Sequence, residues 1–381
     1  MAHPPSGRNP SVHWLPTGAE AYRRMLPAIG AARHSLRFEM YIFHADDTGE
    51  RFRAVLTKAA QRGVRVHLLL DGLGAGGLPA DYWAALRASG GEVHLFNPLS
   101  LRGFLFRNHR KLLLIDDAVA FIGGFNVADE YDGDGVKHGW RDLGWELHQP
   151  DAVRQLAAAF DGMFRAHDLR HRLLQRIRRP LQGARPSFPH GPVFLSGPRM
   201  LRNPFRASLL QALRGARRVQ LISGYFVPSR RLRRALRSVA RRGGSVELIL
   251  AGRSDVPIAQ RAGRALYGSL LRAGVKIHEY QPQILHSKLA VVDDAVFVGS
   301  ANLDVRSLRI NYELMVRVDD PALAAEARGL FAADQRHSAE ITLPSWRSEQ
   351  SWFTRLRGHW AVFFFTKIDP WLVRRQLHAL S

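Results

Sequence analysis

Four blocks of this chain recur in the same order half a chain later. "FEMYIF" (38 to 43) aligns with "ISGYFV" (222 to 227), setting Tyr41 against Tyr225, and "AQRGVRVHLLLDG" (60 to 72) aligns with "ARRGGSVELILAG" (240 to 252). "GGEVHLFNP" (90 to 98) then meets "AGVKIHEYQP" (273 to 282), and "NHRKLLLIDDAVAFIGGFN" (108 to 126) meets "LHSKLAVVDDAVFVGSAN" (285 to 302), with His109 on His286. A chain that repeats itself this way folds as two related units, in keeping with a length of 381 residues, too great for one typical core.

Within each unit, short β-branched runs alternate with longer amphipathic segments. That alternation predicts an α/β fold with a parallel or mixed sheet in each half. Gly63 and Gly243 stand where helices should stop before strands. The expected organisation is a first half over 1–169, a basic, proline-rich linker over 170–192, a second half over 193–340 and an aromatic, basic tail over 341–381. The arginines of 165–185 are read as a solvated face or a headgroup contact, without a part in the chemistry.

The chain has no cysteine, which excludes disulfides, thiolate nucleophiles and cysteine-bound zinc. Its net charge of +22 calls for an anionic partner: nucleic acid, acidic lipid headgroups or a phosphorylated substrate. The N-terminal residues lack the layout of a secretory signal, and no apolar run approaches the roughly 20 residues of a spanning helix. The expectation is a soluble or peripherally bound protein.

Side chains two apart on a strand share a face, so His109 and Lys111, and likewise His286 and Lys288, should project together from the starts of two strands. The residues that follow, "LLLI" and "LAVV", are apolar on both faces and predict strands buried between layers. Lysine is scarce, 6 residues against 49 arginines, yet it occupies both positions, which points to a requirement for an ammonium. Both copies continue to an aspartate and a small-residue turn ending in asparagine: Asp116, Gly123, Gly124 and Asn126 in the first, Asp293, Gly299, Ser300 and Asn302 in the second.

Both stretches resemble the HxK(x)4D motif of the phospholipase D superfamily, and the pairing spans nearly the whole chain. The resemblance implies two homologous α/β sandwich halves related by a pseudo-twofold axis, with the active site at their interface. The second copy departs by one residue between Asp293 and Gly299, read as a shorter turn. The chemistry fits the residues: splitting a phosphodiester needs a nucleophile, a proton donor for the leaving oxygen and donors to the nonbridging oxygens. One histidine can attack phosphorus to form a phosphohistidine while the other moves the proton. Lys111, Lys288, Asn126, Ser300 and Asn302 can bind the phosphoryl oxygens, so no metal or cofactor is expected. By resemblance His109 is the nucleophile and His286 the general acid/base. Asp142 and Glu313 are expected to fix the histidine tautomers. Asp116 and Asp293 are counted with the catalytic set, with a structural role held open for both; Asp117 and Asp294 are read as turn residues.

The second half narrows the resemblance. "SGYFVP", "GRSD", "AGVKIHEY" and "ANLDVRS" occur in the order found in the cardiolipin synthase branch, and "EMYIFHADDTGERF" and "GGFN" of the first half suit it. This implies transfer of a phosphatidyl group from phosphatidylglycerol to a hydroxyl of a second phospholipid, phosphatidylglycerol or phosphatidylethanolamine, with release of glycerol. The implied partners are anionic phospholipids, phosphatidylglycerol and cardiolipin, and the implied location is the cytoplasmic face of a bacterial inner membrane, bound peripherally. Several members of that branch carry two N-terminal spanning helices, and this sequence resembles the short form without them. A phospholipase D releasing phosphatidic acid and a metal-independent nuclease are the alternatives; nucleic acid is the less favoured partner. In the tail, Trp352, Leu356, Trp360 and Phe363 or Phe364 fall on one helical face flanked by arginines, which suits either an interfacial helix on anionic lipid or a helix docked on the protein's own core.

Overall fold

The computed structural model describes residues 11–98, 105–166, 187–188, 191–198, 203–369 and 371–372. Two sheets dominate it. The first contains β1 (Val12–Leu15), β2 (Ser35–Met40), β3 (Arg65–Asp71), β4 (Glu92–Phe96), β5 (Leu112–Ile115), β6 (Val119–Gly123) and β7 (Gly144–Leu147), in the order 1-7-6-5-2-3-4. The second contains β8 (Ser187–Phe188), β9 (Gly191–Ser196), β10 (Arg218–Ser223), β11 (Ser245–Ala251), β12 (Lys276–Tyr280), β13 (Lys288–Val292), β14 (Ala295–Gly299), β15 (Glu313–Asp319) and β16 (Ser338–Ile341), in the order 16-12-11-10-13-14-15-9-8. Without β8 and β16 the two orders coincide, so the repeat seen in the sequence is a repeat of topology. In each sheet three strands are parallel (β2, β3, β4 and β10, β11, β12) and the rest antiparallel.

The strands that follow the HxK pairs are buried on both faces, for a visible reason. Leu112 and Leu114 of β5 join Leu289 and Val291 of β13 in one apolar core shared by the two halves. Leu113 and Ile115 point the other way, into a core private to the first half, as Ala290 and Val292 do in the second. The period-2 alternation therefore serves two cores at once, and the shared one holds the halves face to face.

β9 begins at Gly191, before the expected start of the second half, and pairs with β15. Most of the expected linker, 170–186 and 189–190, lies outside the described residues. Among the described residues no helix is long and apolar enough to cross a membrane. The tail forms a helix over Trp352–Phe363 and a π-helical turn over Phe364–Ile368. Its small residues Gly358 and Ala361 are buried, with Gly358 set close against Ala265 of the helix Pro257–Leu271. The aromatic face stays outside: Trp352 is 64% exposed and Trp360 58%, with Phe363 and Phe364 also exposed. The tail helix thus docks on the protein by its small-residue face and leaves its aromatic face exposed.

Candidate active site

Each HxK segment is hydrogen-bonded to the other half of the chain. The His109 N–H donates to the Tyr312 carbonyl (2.9 Å) and the Tyr312 N–H to the Arg107 carbonyl (2.9 Å); the His286 N–H donates to the Arg141 carbonyl (2.8 Å) and the Arg141 N–H to the Ile284 carbonyl (2.8 Å). Tyr312 precedes Glu313 and Arg141 precedes Asp142. The backbone pairing therefore sets each carboxylate beside the histidine of the opposite half.

Nδ1 of His109 lies 3.0 Å from Glu313 Oε2, and Nδ1 of His286 lies 2.6 Å from Asp142 Oδ2. Both rings are nearly fully buried, and each turns Nδ1 to a carboxylate of the opposite half. Lys111 and Lys288 each fold back so that Nζ donates to the carbonyl of its own histidine, and Lys288 Nζ lies 4.0 Å from Asp142. The two lysines are close enough that each weakens the proton affinity of a histidine of the other half, and Lys288 that of Lys111. All four HxK residues, Asp142 and Glu313 thus share one site.

Burial sets the charge state. It pulls His109 and Lys111 well below their usual ranges, His286 down to about 4 and Lys288 down to about 8, in each case chiefly by desolvation. It pushes Glu313 up to about 8 despite the lysines, because a carboxylate there is cut off from water. Burial thus biases these groups toward their neutral forms; a bound phosphodiester supplies negative charge that would draw protons back onto the lysines and imidazoles.

Asp116 and Asp293 do not belong to this site, against their placement with the catalytic residues. They follow the far ends of β5 and β13, at left-handed backbone positions (φ 53° and 50°). The Asp116 carboxylate accepts from the N–H groups of Arg33 (2.8 Å), His34 (2.7 Å) and Ser35 (2.9 Å), and that of Asp293 from Arg217 (3.1 Å) and Arg218 (2.9 Å). Each pins the start of the neighbouring strand, β2 or β10. Asp117 also lies in a turn, in a salt bridge with Arg37.

Of the three residues expected to bind phosphate beside the two lysines, two are engaged elsewhere. Asn126 accepts from the Ile42 N–H (3.0 Å) and donates to the Tyr131 hydroxyl (2.7 Å), so both ends of its amide tie loops together. Ser300 donates to Glu313 Oε2 and accepts from the Leu314 N–H (3.0 Å), which makes it a brace for the carboxylate. Asn302 accepts from the Tyr225 N–H (3.3 Å) through its amide oxygen, and no such tie occupies its nitrogen among the hydrogen bonds of the described residues. Gly124, the counterpart of Ser300, leaves no room for a side chain: a Cβ there would stand 2.2 Å from Asp142 Oδ1. Aromatic side chains not expected at the site from the sequence also wall the two histidines. Tyr41 sets its edge against His109 (centroids 4.9 Å) with Lys111 Nζ 5.1 Å from its ring centre, while Trp140 (5.7 Å), Tyr131 (5.4 Å) and Tyr225 (6.4 Å) surround His286. The match of Tyr41 with Tyr225 in the repeat was the available signal.

Two equivalent α/β halves meeting at paired HxK segments define a phospholipase D-like chain. The family described as "Cardiolipin synthase, PLD-like domain" matches residues 25–164 and 209–335, and the chain belongs to it. It is 35% identical over 356 residues to cardiolipin synthase A of Pseudomonas aeruginosa (strain LESB58), spanning 91% of this chain and 71% of that protein. It is 32% identical over 352 residues to the major cardiolipin synthase of Bacillus subtilis (strain 168), spanning 90% and 72%. In fold it is similar to phosphatidylserine synthase of Haemophilus influenzae, with a TM-score of 0.73 at 14% identity over 96% of this chain and 95% of that one.

Proposed function

We infer that the chain is a cardiolipin synthase-type phosphatidyltransferase working through a covalent histidine. The observation that carries this reading is the reciprocal pairing of two histidines with carboxylates of the opposite halves, in a site that also holds two lysines. His109 Nε2 attacks the phosphorus of phosphatidylglycerol; the bond from phosphorus to the glycerol oxygen breaks, and His286 delivers its proton to that oxygen. A hydroxyl of a second phospholipid then gives its proton to His286 and attacks phosphorus, the phosphorus–nitrogen bond breaks, and His109 is restored. Lys111 and Lys288 neutralise the phosphoryl oxygens as charge moves onto them, and the Asn302 amide donates a hydrogen bond to one of them.

The lipid is reached from a membrane surface. The exposed aromatic face of Trp352, Trp360, Phe363 and Phe364 adjoins a groove of about 490 Å³ whose lining includes Ile258, Leu356, Trp360 and Phe364 together with Arg261 and Arg357. Apolar rings beside guanidinium groups suit the interface of an anionic leaflet. The placement on the cytoplasmic face of a bacterial inner membrane belongs to the same proposal. Flotation with phosphatidylglycerol vesicles checks the contact: replacing both Trp352 and Trp360 with alanine is expected to weaken binding at least about tenfold.

The activity is tested by incubating the protein with phosphatidylglycerol vesicles and identifying the products by mass spectrometry, with His109→Ala as control. Cardiolipin and free glycerol from the wild type alone are expected. Phosphatidic acid as the main product would mean hydrolysis in place of transfer, and no lipid product would overturn the reading.

A further inference from the structure

The two histidines have similar partners, but their surroundings differ. Tyr225, on the His286 side, donates its hydroxyl to Asp255 at 2.7 Å from both carboxylate oxygens. Asp255 is exposed to solvent, just ahead of the helix Pro257–Leu271, and its charge strengthens proton binding at Lys288, which places it within reach of the site. Among the described residues the matched Tyr41 has no comparable neighbour. The acid beside it, Asp71, is fully buried and already accepts from the N–H groups of Leu73 (2.9 Å) and Asn108 (2.8 Å). Among the described residues an open carboxylate therefore accompanies His286 and not His109.

We propose that Tyr225 and Asp255 form a headgroup subsite that binds the free hydroxyls of the polyol exchanging at His286. This rests on the function inferred above, in which His286 trades protons with the alcohol oxygen. An alcohol held there extends its remaining carbons along the Tyr225 ring, whose centroid is 6.4 Å from that of His286, toward the carboxylate. A carboxylate accepts hydrogen bonds and donates none, so it selects groups that bring donors, and the vicinal hydroxyls of glycerol bring two. An ammonium headgroup would also be drawn to Asp255, but Lys111 and Lys288 already bring two cations to the site and oppose a third. Water lacks the second hydroxyl and gains nothing from the subsite. The pair thus favours transfer to a polyol over hydrolysis by the principle that a site built for hydrogen-bonding groups rejects analogues lacking them.

The test follows how the phosphatidyl intermediate partitions. The full chain is incubated with phosphatidylglycerol vesicles and deuterated glycerol, ethanolamine or neither, and labelled phosphatidylglycerol, phosphatidylethanolamine and phosphatidic acid are quantified. For Asp255→Ala and Tyr225→Phe, the ratio of labelled phosphatidylglycerol to phosphatidic acid should fall, by about tenfold for Asp255→Ala, while phosphatidic acid is still formed. An unchanged ratio in Asp255→Ala would overturn the proposal, as would a wild-type preference for ethanolamine over glycerol at equal concentration. A variant that has lost all turnover is replaced by Asp255→Asn, which keeps the volume and removes the charge; an unchanged ratio there counts equally against the subsite. If the wild type forms no lipid product, the phosphatidyltransferase reading itself fails, a result distinct from an unaltered partition in an active variant.

Discussion

Glu313 Oε2 stands 3.0 Å from Nδ1 of His109, a residue of the opposite half and 204 positions away. The reverse pairing, Asp142 with His286, is as direct at 2.6 Å. Each imidazole is therefore oriented by a carboxylate that its own half cannot supply. Replacing Asp142 with asparagine or Glu313 with glutamine should lower kcat by roughly a hundredfold or more while KM for phosphatidylglycerol changes little, because the amide disturbs the tautomer without touching the lipid. Steady-state kinetics on mixed vesicles separates the two constants.

The order of the histidines can be read from where phosphorus is caught. With a p-nitrophenyl phosphodiester the leaving group departs without a proton donor, so His286→Ala should still form the covalent intermediate but resolve it slowly. Peptide mass spectrometry is expected to find the added phosphoryl group on the peptide carrying His109. A label on His286 in the His109→Ala protein would reverse the assignment.

Asp116 should matter for folding and little for chemistry. Its carboxylate accepts three backbone N–H bonds at the start of β2 and is partly open to water, so Asp116→Ala is expected to lower stability by about 1 to 3 kcal/mol. The specific activity of the folded fraction should stay within a factor of about three of the wild type, as checked by denaturant titration and activity on the same preparation.

The Glu313 carboxyl gives a pH signature. Its pKa rises on folding from 4.5 to about 8, so between those values the folded chain holds a proton that the unfolded chain has released. Its contribution to stability is complete below about pH 4.5 and is lost as pH rises through about 8. Glu313→Gln cannot lose that proton. Between pH 5 and 8 the variant should therefore gain melting temperature relative to the wild type as pH rises; His286, depressed from 6.5 to about 4, titrates in both and cancels in the difference.

Much of this was legible in the residues. The repeated blocks foretold the shared strand order, and "LLLI" and "LAVV" foretold strands buried on both faces, because apolar runs without alternation have no wet side. The two motif aspartates are misplaced for one reason. Asp116 lies five positions beyond Lys111, and at about 3.3 Å per residue an extended strand carries it some 16 Å away, past any shared phosphate. Strand length alone could have excluded it. That Glu313 serves His109 and Asp142 serves His286 was not legible, since it depends on the segment of one half that lies against an edge of the other. Asn126 and Ser300 were misread because a buried amide or hydroxyl next to a catalytic motif has the same letters whether it holds ligand or loop.

The crossed hydrogen bonds of His109 with Tyr312 and of His286 with Arg141 also bear on how the site responds to dilution. A site built between two separate subunits disappears at protein concentrations below their dissociation constant. Here the partner surface is carried on the same chain, at an effective concentration that no dilution lowers, so specific activity should be independent of enzyme concentration to the limit of detection. The same covalent connection frees the copies from having to remain identical. One half can keep a buried Asp71 bound to the N–H of Asn108, next to its histidine in sequence, while the other places Ala251 at the matching position and sets an open Asp255 nearby.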